Sequence, residues 1–499
     1  MTGAILAIDQ GTTRTKAIVF DVKAHPLAES ASEVRVIYPR PGWVEQDPRE
    51  LLQSVVQNGR AAIAAAEAEV IGMGLANQGE TVVAWNRCTG EPVYNAIVWQ
   101  DRRTDQECER LKQMGADRLI RDRTGLPVDP YFSGTKLAWL LDNVPEARKL
   151  AERGDLLGGT TDAWFLWQLT GEHRTDDSTA SRTMLYNPRT RDWDDDILQL
   201  LNLPRCILPT IQPSCSNFGS ASVFGRLVSI AASVVDQQAG LFGQACHTPG
   251  DTKVTYGTGA FILLNAGDRF PTSKHGLLPT VAWSIGNQVT YALDGGIYVA
   301  GAAIQWLRDE LGVIRTSEEA EAMALSVPDS GGVFFVPALS GLAAPYWDSY
   351  ARGTIIGLTR GSSRAHLVRA ALEGIAFRTR DVVDAMSHDV GHPVRSIKVD
   401  GGASANVFLM QSLADLLRAD VRVAAIPETT ALGAAFMAGL GTGLWTDVQE
   451  TAALWREGRC YTPGNYANAE ALYHQWLRAV ERAKGWARPA GPQWEKSDS

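Results

Sequence analysis

Cysteine is scarce in this sequence, and long apolar segments are absent from it. The six cysteines stand at positions 88, 108, 206, 215, 246 and 460, without a CxxC motif or a His/Cys spacing typical of a metal site. In a chain of this length we expect them to be reduced thiols, which predicts a cytoplasmic protein. No apolar run reaches the length of about 20 residues that crosses a bilayer, and no basic leader opens the chain, so neither a signal peptide nor a membrane anchor is expected.

An excess of positive charge is also lacking. The chain has 47 Lys and Arg against 56 Asp and Glu, a net charge of −9. A surface of this sign is unsuited to nucleic acid and to anionic membranes, so we expect neither as a partner. A site for a phosphorylated ligand would then need local cations, backbone donors or a metal ion.

The length of 499 residues exceeds what one hydrophobic core usually organises. With 45% hydrophobic and 21% charged residues, the composition is that of a globular protein. We therefore predict two domains, residues 1–249 and 250–499, which meet near the turn at 247–251. Helices are predicted at 47–68, 101–112, 132–151, 299–311 and 364–386, a strand at 94–99, and a frayed tail after residue 489.

One polar loop between two apolar runs is the most informative stretch. Residues 4–8 and 17–20 are β-prone, and residues 9–16 (DQGTTRTK) form the turn of a predicted hairpin. Gly11 lets the backbone approach a ligand, while free N–H groups and threonine hydroxyls suit phosphate oxygens. Asp9 ends a buried strand, where a hydrated Mg²⁺ held together with phosphates would compensate its charge. The alternative is an ordinary polar hairpin tip.

The same pattern recurs in the second half of the chain. Residues 254–264 (VTYGTGAFILL) repeat the order strand, Gly/Thr turn, strand. Residues 397–406 read as strand, glycine turn and helix start, a third place where backbone could lie against a nucleotide. Two such hairpins, one in each half, predict two similar lobes that close on one nucleotide.

Longer blocks carry a family resemblance. Residues 131–140 (YFSGTKLAWL) match one signature of the FGGY family of sugar and polyol kinases, and residues 353–358 (GTIIGL) with 366–373 match a second. Within that family the chain resembles the glycerol kinases most closely. This likeness is carried by residues 41–45 (PGWVE), 94–99 (YNAIVW), 304–310 (IQWLRDE) and 344–348 (APYWD), and it extends over nearly the whole chain.

The resemblance implies an α/β fold of two actin-like ATPase domains, of the ribonuclease H-like kind, with a cleft between them. It implies an ATP-dependent phosphotransferase that uses ATP and Mg²⁺ to phosphorylate a hydroxyl of glycerol or of a closely related small polyol. A homo-oligomer, dimer or tetramer, is also implied.

Site residues follow from the resemblance position by position. Asp236 is implied as the general base for the substrate hydroxyl, with plain helix capping as its alternative role. Asp9 and Asp236 are implied as metal ligands. The implied substrate contacts are Glu80, Trp99, Tyr131, Asp236, Gln237 and Phe261, although Trp99 and Phe261 could instead simply fill the core. The implied ATP contacts are Thr12, Thr13, Arg14, Lys16, Thr258, Gly301, Gln305, Gly402 and Asn406.

Three departures from the family pattern bear on the substrate and on regulation. Residues 77–80 read NQGE where glycerol kinases read NQRE. Gly79 therefore replaces an arginine that contacts the substrate in that family. Arg14 stands where the family has Ser, and Lys16 where it has Arg, which keeps the charge but not the bidentate fork. Residues 222–227 (SVFGRL) replace the loop that binds fructose bisphosphate in regulated bacterial members, so that regulation is not expected.

Because of Gly79, more than one substrate is compatible with the sequence. The pocket could bind glycerol more weakly, or accept a longer polyol in the vacated space, and we favour a polyol somewhat larger than glycerol. Alternatively, Arg102 or Arg103 takes over the lost donor and glycerol stays the substrate.

Other activities are also open on the sequence alone. The rival within the family is a kinase for a tetritol, a pentitol or a ketose such as xylulose. A non-catalytic sensor and a chaperone-like ATPase are less favoured, because the sequence has neither a helix-turn-helix nor a basic face nor an appended peptide-binding domain.

Overall fold

The computed structural model describes residues 3–464 and 468–488. Two lobes follow one another along the chain, each built on a mixed β-sheet with helices packed on it. Every helix within the described ranges is too short or too polar to cross a bilayer. The frayed tail predicted after residue 489 lies outside the described residues.

The main sheet of the first lobe has six strands in the order β13-β14-β5-β1-β2-β3, and a smaller sheet has the order β4-β7-β6-β8. In β1, residues 4–8 are fully buried and apolar, as expected for a strand covered on both faces. The strands are β1 (Gly3–Gln10), β2 (Arg14–Phe20), β3 (Pro26–Glu33), β4 (Glu45–Gln46), β5 (Glu69–Asn77), β6 (Val82–Asn86), β7 (Ala96–Ile97), β8 (Leu156–Thr160), β9 (Arg174–Asp176), β10 (Tyr186–Asn187), β11 (Asp192–Trp193), β12 (Thr210–Gln212), β13 (Ser220–Ala221) and β14 (Val228–Val235).

The helices of the first lobe pack on these sheets and over their edges. They are α1 (Pro48–Ala65), α2 (Asp105–Gln113), α3 (Ala116–Thr124), α4 (Ser133–Asn143), α5 (Pro145–Arg153), α6 (Thr161–Thr170), α7 (Asp177–Ala180), α8 (Asp195–Leu200) and α9 (Asp236–Gly243), with a 3₁₀ turn at Arg205–Ile207.

Local chemistry explains where these helices differ from the prediction. Helix α1 begins as predicted, because the Asp47 side chain accepts the N–H of Arg49. The helix predicted at 132–151 is two helices, since Pro145 forces Val144 into an extended conformation. Helix α2 begins four residues later than predicted, because the Asp101 carboxylate is bound by Arg103 in a turn. The strand predicted at 94–99 is reduced to β7.

The second lobe contains a seven-stranded sheet in the order β17-β18-β16-β15-β21-β22-β23. Its strands are β15 (Thr252–Tyr256), β16 (Ala260–Gly267), β17 (Leu278–Ile285), β18 (Gln288–Ile297), β19 (Phe334–Val336), β20 (Thr354–Ile356), β21 (Ser396–Asp400), β22 (Asp420–Ala424) and β23 (Glu457–Tyr461). Its helices are α10 (Gly301–Asp309), α11 (Glu319–Leu325), α12 (Arg364–Val390), α13 (Val407–Leu417), α14 (Thr429–Thr442), α15 (Val448–Ala453) and α16 (Ala469–Ala483), with a 3₁₀ turn at Gly402–Ala405.

The two sheets repeat one arrangement around their first strand. Strand β1 pairs antiparallel with β2 and parallel with β5, and β15 pairs antiparallel with β16 and parallel with β21. Both predicted hairpins are therefore present at equivalent positions, and the prediction of two similar lobes is confirmed. The domain boundary near residue 249 stays a prediction, although it falls between α9 and β15.

Helices α9 and α14 cross at the junction of the lobes. A Cβ atom on Gly433 would lie 1.8 Å from the Ala239 carbonyl oxygen, and one on Gly243 would lie 2.0 Å from the Thr429 carbonyl oxygen. A side chain at either position would separate the helices, so glycine permits their close contact. Because α9 begins at Asp236, this crossing fixes the position of that carboxylate relative to the second lobe.

Candidate active site

A cavity of about 120 Å³, the small cavity, lies at the junction of the two lobes. Strand β14 and helix α9 of the first lobe and strands β16 and β18 of the second reach it. All six residues predicted to contact the substrate line this cavity. The complete lining is Thr12, Gln78, Glu80, Trp99, Tyr131, Arg182, Val235, Asp236, Gln237, Gln238, Phe261 and Asp294.

Asp236 is the first residue of α9. Burial raises the pKa of its carboxyl to about 7, with further increases from Asp9 and Glu80, while Lys253 lowers it. Its Oδ1 accepts the N–H of Gln237 at 2.6 Å. Val235 occupies the N-cap, and the carboxylate of Asp236 binds an amide of the first turn. A carboxyl with this pKa can exchange a proton near neutral pH.

Asp9 lies near the end of β1, and its charge acts on Asp236. Burial raises the pKa of Asp9 to about 6, Lys16 opposes the increase, and Glu428 adds to it. Lys16 Nζ lies 2.9 Å from Glu428 Oε1, a residue just before α14. Two neighbouring carboxyl groups with raised pKa values would be stabilised as anions by a cation. The donor set therefore fits a magnesium ion that also binds phosphate oxygens.

Aromatic side chains form one wall of the small cavity. Trp99 packs edge-to-face on Tyr131 at 5.6 Å between ring centroids, and on Phe261 of the second lobe at 6.3 Å. The Trp99 indole Nε1 donates to Thr12 Oγ1 at 2.8 Å. These rings therefore line the cavity and also pack on one another. Through its bond to Thr12, Trp99 connects the first hairpin to the wall of the cavity. Burial raises the pKa of Tyr131 well above its usual value, with Glu80 adding to the increase.

Sequence reasoning missed two charged residues of this cavity, Arg182 and Asp294. Arg182 Nε donates to Glu80 Oε1 at 2.6 Å, and its Nη2 lies 3.0 Å from Asp294 Oδ2. Both residues are almost fully buried. A charged residue inside the largely apolar β18 (QVTYALDGGI) was a signal for Asp294, since such a residue needs a partner.

The alternative in which Arg102 or Arg103 replaces the donor missing at position 79 is wrong. Arg103 is buried against the carboxylates of Asp101 and Glu45, and Arg102 is paired with Asp105. Neither contributes to the lining of the small cavity.

Lys253 is a further residue that sequence reasoning missed. It is fully buried in β15, and its Nζ donates to Gln237 Oε1 at 2.6 Å and to Thr255 Oγ1 at 2.9 Å. Burial lowers its pKa, while Asp400, Asp236 and Asp294 oppose that change. Lys253 therefore brings positive charge from the second lobe to Asp236.

Gly79 adopts a left-handed conformation, with φ +75°. Its N–H is accepted by Asn77 Oδ1 at 3.0 Å, which closes a tight turn after β5. A Cβ atom here would lie 3.4 Å from Val235, an ordinary contact, so backbone strain rather than space favours glycine.

A second cavity of about 700 Å³, the large cavity, lies within the second lobe. Five of the nine residues predicted to contact ATP line it together: Thr258, Gly301, Gln305, Gly402 and Asn406. Its volume and its mixture of glycine backbone, polar groups and aliphatic side chains suit an adenine nucleotide.

The glycines of the large cavity bring backbone segments together. A Cβ atom on Gly301 would lie 2.5 Å from the Gly257 carbonyl oxygen, while the Thr258 carbonyl accepts N–H groups of Ala300 and Ala302. The second hairpin and the start of α10 therefore form one unit at the edge of the cavity.

The four ATP contacts predicted on the first hairpin are distributed differently. Thr12 lines the small cavity, Lys16 is paired with Glu428, and Thr13 and Arg14 are exposed at the hairpin tip. Residues 222–227, expected not to bind phosphate, include Phe224, which is buried in the first-lobe core.

Comparison with known proteins decides the family. Residues 4–243 match the N-terminal domain of the FGGY family of carbohydrate kinases, and residues 252–442 match its C-terminal domain. The chain belongs to the FGGY family of carbohydrate kinases. Glycerol kinase 2 of Thermotoga maritima is 52% identical over 492 residues, which cover 97% of this chain and 99% of that protein. A glycerol kinase of Symbiobacterium thermophilum is 53% identical over 493 residues, 97% and 99% of the two chains.

Solved structures give the same fold. The crystal structure of Plasmodium falciparum glycerol kinase with ADP superposes with a TM-score of 0.91 at 33% identity, over 97% of this chain and 98% of that one. A ligand-bound xylulose kinase of Lactobacillus acidophilus, at 23% identity, shares the fold with a TM-score of 0.88 over 97% and 99% of the chains. The predicted fold of two actin-like ATPase domains is confirmed. This FGGY kinase is an ATP-dependent phosphotransferase that acts on an alcohol group.

Proposed function

We propose that this kinase transfers the γ-phosphoryl group of ATP to a hydroxyl of glycerol. The observation that carries the proposal is the small cavity, in which Asp236, Glu80 and Tyr131 converge in a space suited to a few heavy atoms. The two bacterial relatives at 52% and 53% identity are named glycerol kinases, which supports the same substrate.

The chemistry at Asp236 is a proton transfer coupled to phosphoryl transfer. The carboxylate accepts the proton of the substrate hydroxyl while that oxygen bonds to the γ-phosphorus of ATP. The bond from this phosphorus to the β–γ bridging oxygen breaks, and ADP leaves with the electron pair. Because such transfers require little covalent work from the protein, positioning and neutralisation of charge dominate the rate.

The large cavity would hold the nucleotide, with Thr258 and the backbone at Gly301 and Gly402 against it. Lys16 and Thr12 of the first hairpin would approach the phosphates from the other lobe. Asp9 and Asp236 would hold a magnesium ion, which when bound neutralises phosphate charge. Trp99 and Phe261, which meet across the lobe junction, would exclude water that competes as the acceptor.

Glycerol is expected to be preferred over longer polyols. The larger substrate favoured from Gly79 alone assumed that this residue opens volume in the substrate pocket. Gly79 does not line the small cavity, whereas Arg182 and Asp294 do. An FGGY kinase for a tetritol or for xylulose is the alternative that the experiment must exclude.

A substrate panel tests the proposal directly. Purified protein with ATP and Mg²⁺ should show its highest kcat/KM with glycerol, against erythritol, threitol, xylitol and xylulose. Asp236→Asn, which keeps the shape of the side chain but cannot take the proton, should lower kcat by about two to four orders of magnitude. A higher kcat/KM for any longer substrate would refute glycerol, and near-normal turnover by Asp236→Asn would refute its role as base.

Cytoplasmic location and a dimer or tetramer are further parts of the proposal. All six cysteines, each within the described residues, are free thiols, which supports a reducing compartment. Light scattering of the purified protein at micromolar concentration tests the oligomer, and a mass near that of one chain, 54.1 kDa, would refute it. Cell fractionation tests the location.

A further inference from the structure

Three side chains of the small cavity carry buried polar atoms that lack a hydrogen-bond partner within residues 3–464 and 468–488. These atoms are Nη1 of Arg182, Oδ1 of Asp294 and Oε1 of Gln238. Buried polar groups in folded proteins are nearly always bonded, and an orphaned one is destabilising. One donor and two acceptors that line a single cavity match the hydrogen-bonding capacity of a hydroxylated ligand.

Arg182 is held rigidly by carboxylates from both lobes. Glu80 of the first lobe binds its Nε, and Asp294 on β18 of the second lobe binds its Nη2. Only 2% of its surface is exposed. A planar guanidinium fixed at two corners directs its remaining N–H groups with little freedom. The free Nη1 is therefore positioned before any ligand binds.

Glu80 links Arg182 to Asp236 within the small cavity. Its Oε1 accepts the N–H of Arg182 Nε at 2.6 Å, and its charge raises the pKa of Asp236. All three side chains line the cavity. A polyol whose reacting hydroxyl faces Asp236 would extend its other hydroxyls toward Arg182.

We propose that Arg182 determines the specificity of the substrate site: its Nη1 donates to a hydroxyl of the polyol that is not phosphorylated, and Asp294 Oδ1 accepts from the substrate beside it. The proposal deepens the proposed function and rests on it. It assigns the guanidinium of the substrate pocket to position 182, whereas the glycine at position 79 supplies no side chain. It also makes binding depend on both lobes, since the two anchors of Arg182 belong to different lobes.

Arg182→Met, of similar length and without donors, is the main test. Loss of a charge-assisted hydrogen bond should lower kcat/KM for glycerol by about ten- to a hundredfold. The effect should be on KM more than on kcat, and the Kd for ADP measured by calorimetry should stay within about twofold, because the large cavity is untouched. Arg182→Lys keeps the charge, and its kcat/KM for glycerol should lie between the values of the wild type and of Arg182→Met. It provides the measurement if Arg182→Met does not fold.

Arg191→Met is the matched control. Arg191 is nine positions further along the chain and binds the carboxylate of Asp177, but it does not line the small cavity. Its removal should leave the KM for glycerol within about twofold. An equal increase in KM in this variant would mean that Arg182→Met acts through stability, and would overturn the proposal.

Substrate analogues separate a direct contact from a structural role. 1,2-Propanediol lacks one terminal hydroxyl of glycerol, and 1,3-propanediol lacks the central one. If Arg182 donates to one of these hydroxyls, then Arg182→Met should cause no further loss of kcat/KM with the diol that lacks that hydroxyl. The substitution in the protein and the missing hydroxyl of the diol would remove the same hydrogen bond. A diol that is not phosphorylated is measured by its inhibition constant against glycerol.

The outcomes are distinguishable. A penalty that persists undiminished with both diols would overturn the role of Arg182 while leaving the kinase reaction intact. Equal KM values for glycerol in wild type and Arg182→Met would do the same. A wild-type protein that phosphorylates no polyol would instead refute the proposed function itself.

Discussion

Lys16 Nζ and Glu428 Oε1 lie 2.9 Å apart, although the two residues are separated by 412 positions in the chain. One belongs to the first hairpin and the other precedes helix α14. Each side chain is partly exposed, at 20% and 29%. The cation expected to contact phosphate is thus already paired with a carboxylate across the lobe junction, and a nucleotide would have to compete for it.

Removal of this competitor should strengthen nucleotide binding. In Glu428→Gln, Lys16 no longer has an anionic partner, so the Kd for ATP should fall by up to about fivefold, the scale of a partly exposed ion pair. Lys16→Gln should raise the same Kd. Titration calorimetry at low and high salt measures both, and the gain in Glu428→Gln should shrink as salt screens the charges. Weaker ATP binding in Glu428→Gln would show that the glutamate itself serves the nucleotide.

The acidic limb of the pH profile should report Asp236. Burial raises its pKa to about 7 in the metal-free site, and the proton-accepting carboxylate is lost as pH falls through the pKa. Because a magnesium ion bound to Asp236 would lower that pKa, kcat/KM should decline on the acidic side at a pH below 7. Lys253→Met removes a cation that lowers this pKa, and the limb should move to higher pH by about one unit. Lys398→Met is the control. The Lys398 ammonium donates to the Gln244 and Ala245 carbonyls, and its removal should leave the acidic limb of the profile unchanged. An unchanged acidic limb in Lys253→Met would contradict the effect of Lys253 on the pKa of Asp236.

The second hairpin should serve ATP and not the polyol. Thr258→Val removes a hydroxyl from the lining of the large cavity, and the Kd for ATP should rise by about two- to tenfold. The KM for glycerol at saturating ATP should change little. Thr190→Val is the control and should alter neither value, because the Thr190 hydroxyl donates to the nearby Asn187 carbonyl. Unchanged ATP affinity in Thr258→Val would remove this residue from the nucleotide site.

The crossing of α9 and α14 should tolerate no side chain at Gly433. A methyl group there would lie 1.8 Å from the Ala239 carbonyl oxygen, so Gly433→Ala should destabilise the protein by about 1–3 kcal/mol. Urea unfolding followed by circular dichroism should show a lower midpoint. At Gly361, where a Cβ atom would be 3.7 Å from its nearest neighbour, alanine should have little effect. Unaltered stability in Gly433→Ala would mean that the helices separate without cost.

Local sequence patterns predicted those parts of the site that are formed within one short segment of the chain. The two hairpins follow from β-prone runs around Gly/Thr turns, and the start of α9 at Asp236 follows an apolar strand end. Thr258 and Gly301, which are predicted to contact ATP, are brought together by backbone contact between the second hairpin and the start of α10. The family motifs then supplied the roles, which remain predictions.

Contacts between distant segments were not predictable in the same way. Arg182 and Glu80 are 102 positions apart, and nothing in the residues around either specifies the other. Lys253 resembles an ordinary strand residue until the fold encloses it beside Gln237. The missing side chain at Gly79 was visible in the sequence, but Arg182, which lines the small cavity, comes from a separate segment. The sequence alone therefore suggested Arg102 and Arg103, which do not line it.

The two halves of this chain cannot be separated into working fragments. One face of the first-lobe sheet, with Ile5, Ala7 and Phe20, packs against α14, which the second half of the chain supplies. A polypeptide cut near residue 249 would leave that apolar face in water and would aggregate. During synthesis the first lobe must likewise wait for residues 429–442 to leave the ribosome before its sheet is covered on both sides. Folding of the amino-terminal half is therefore completed only after residues 429–442 have been translated.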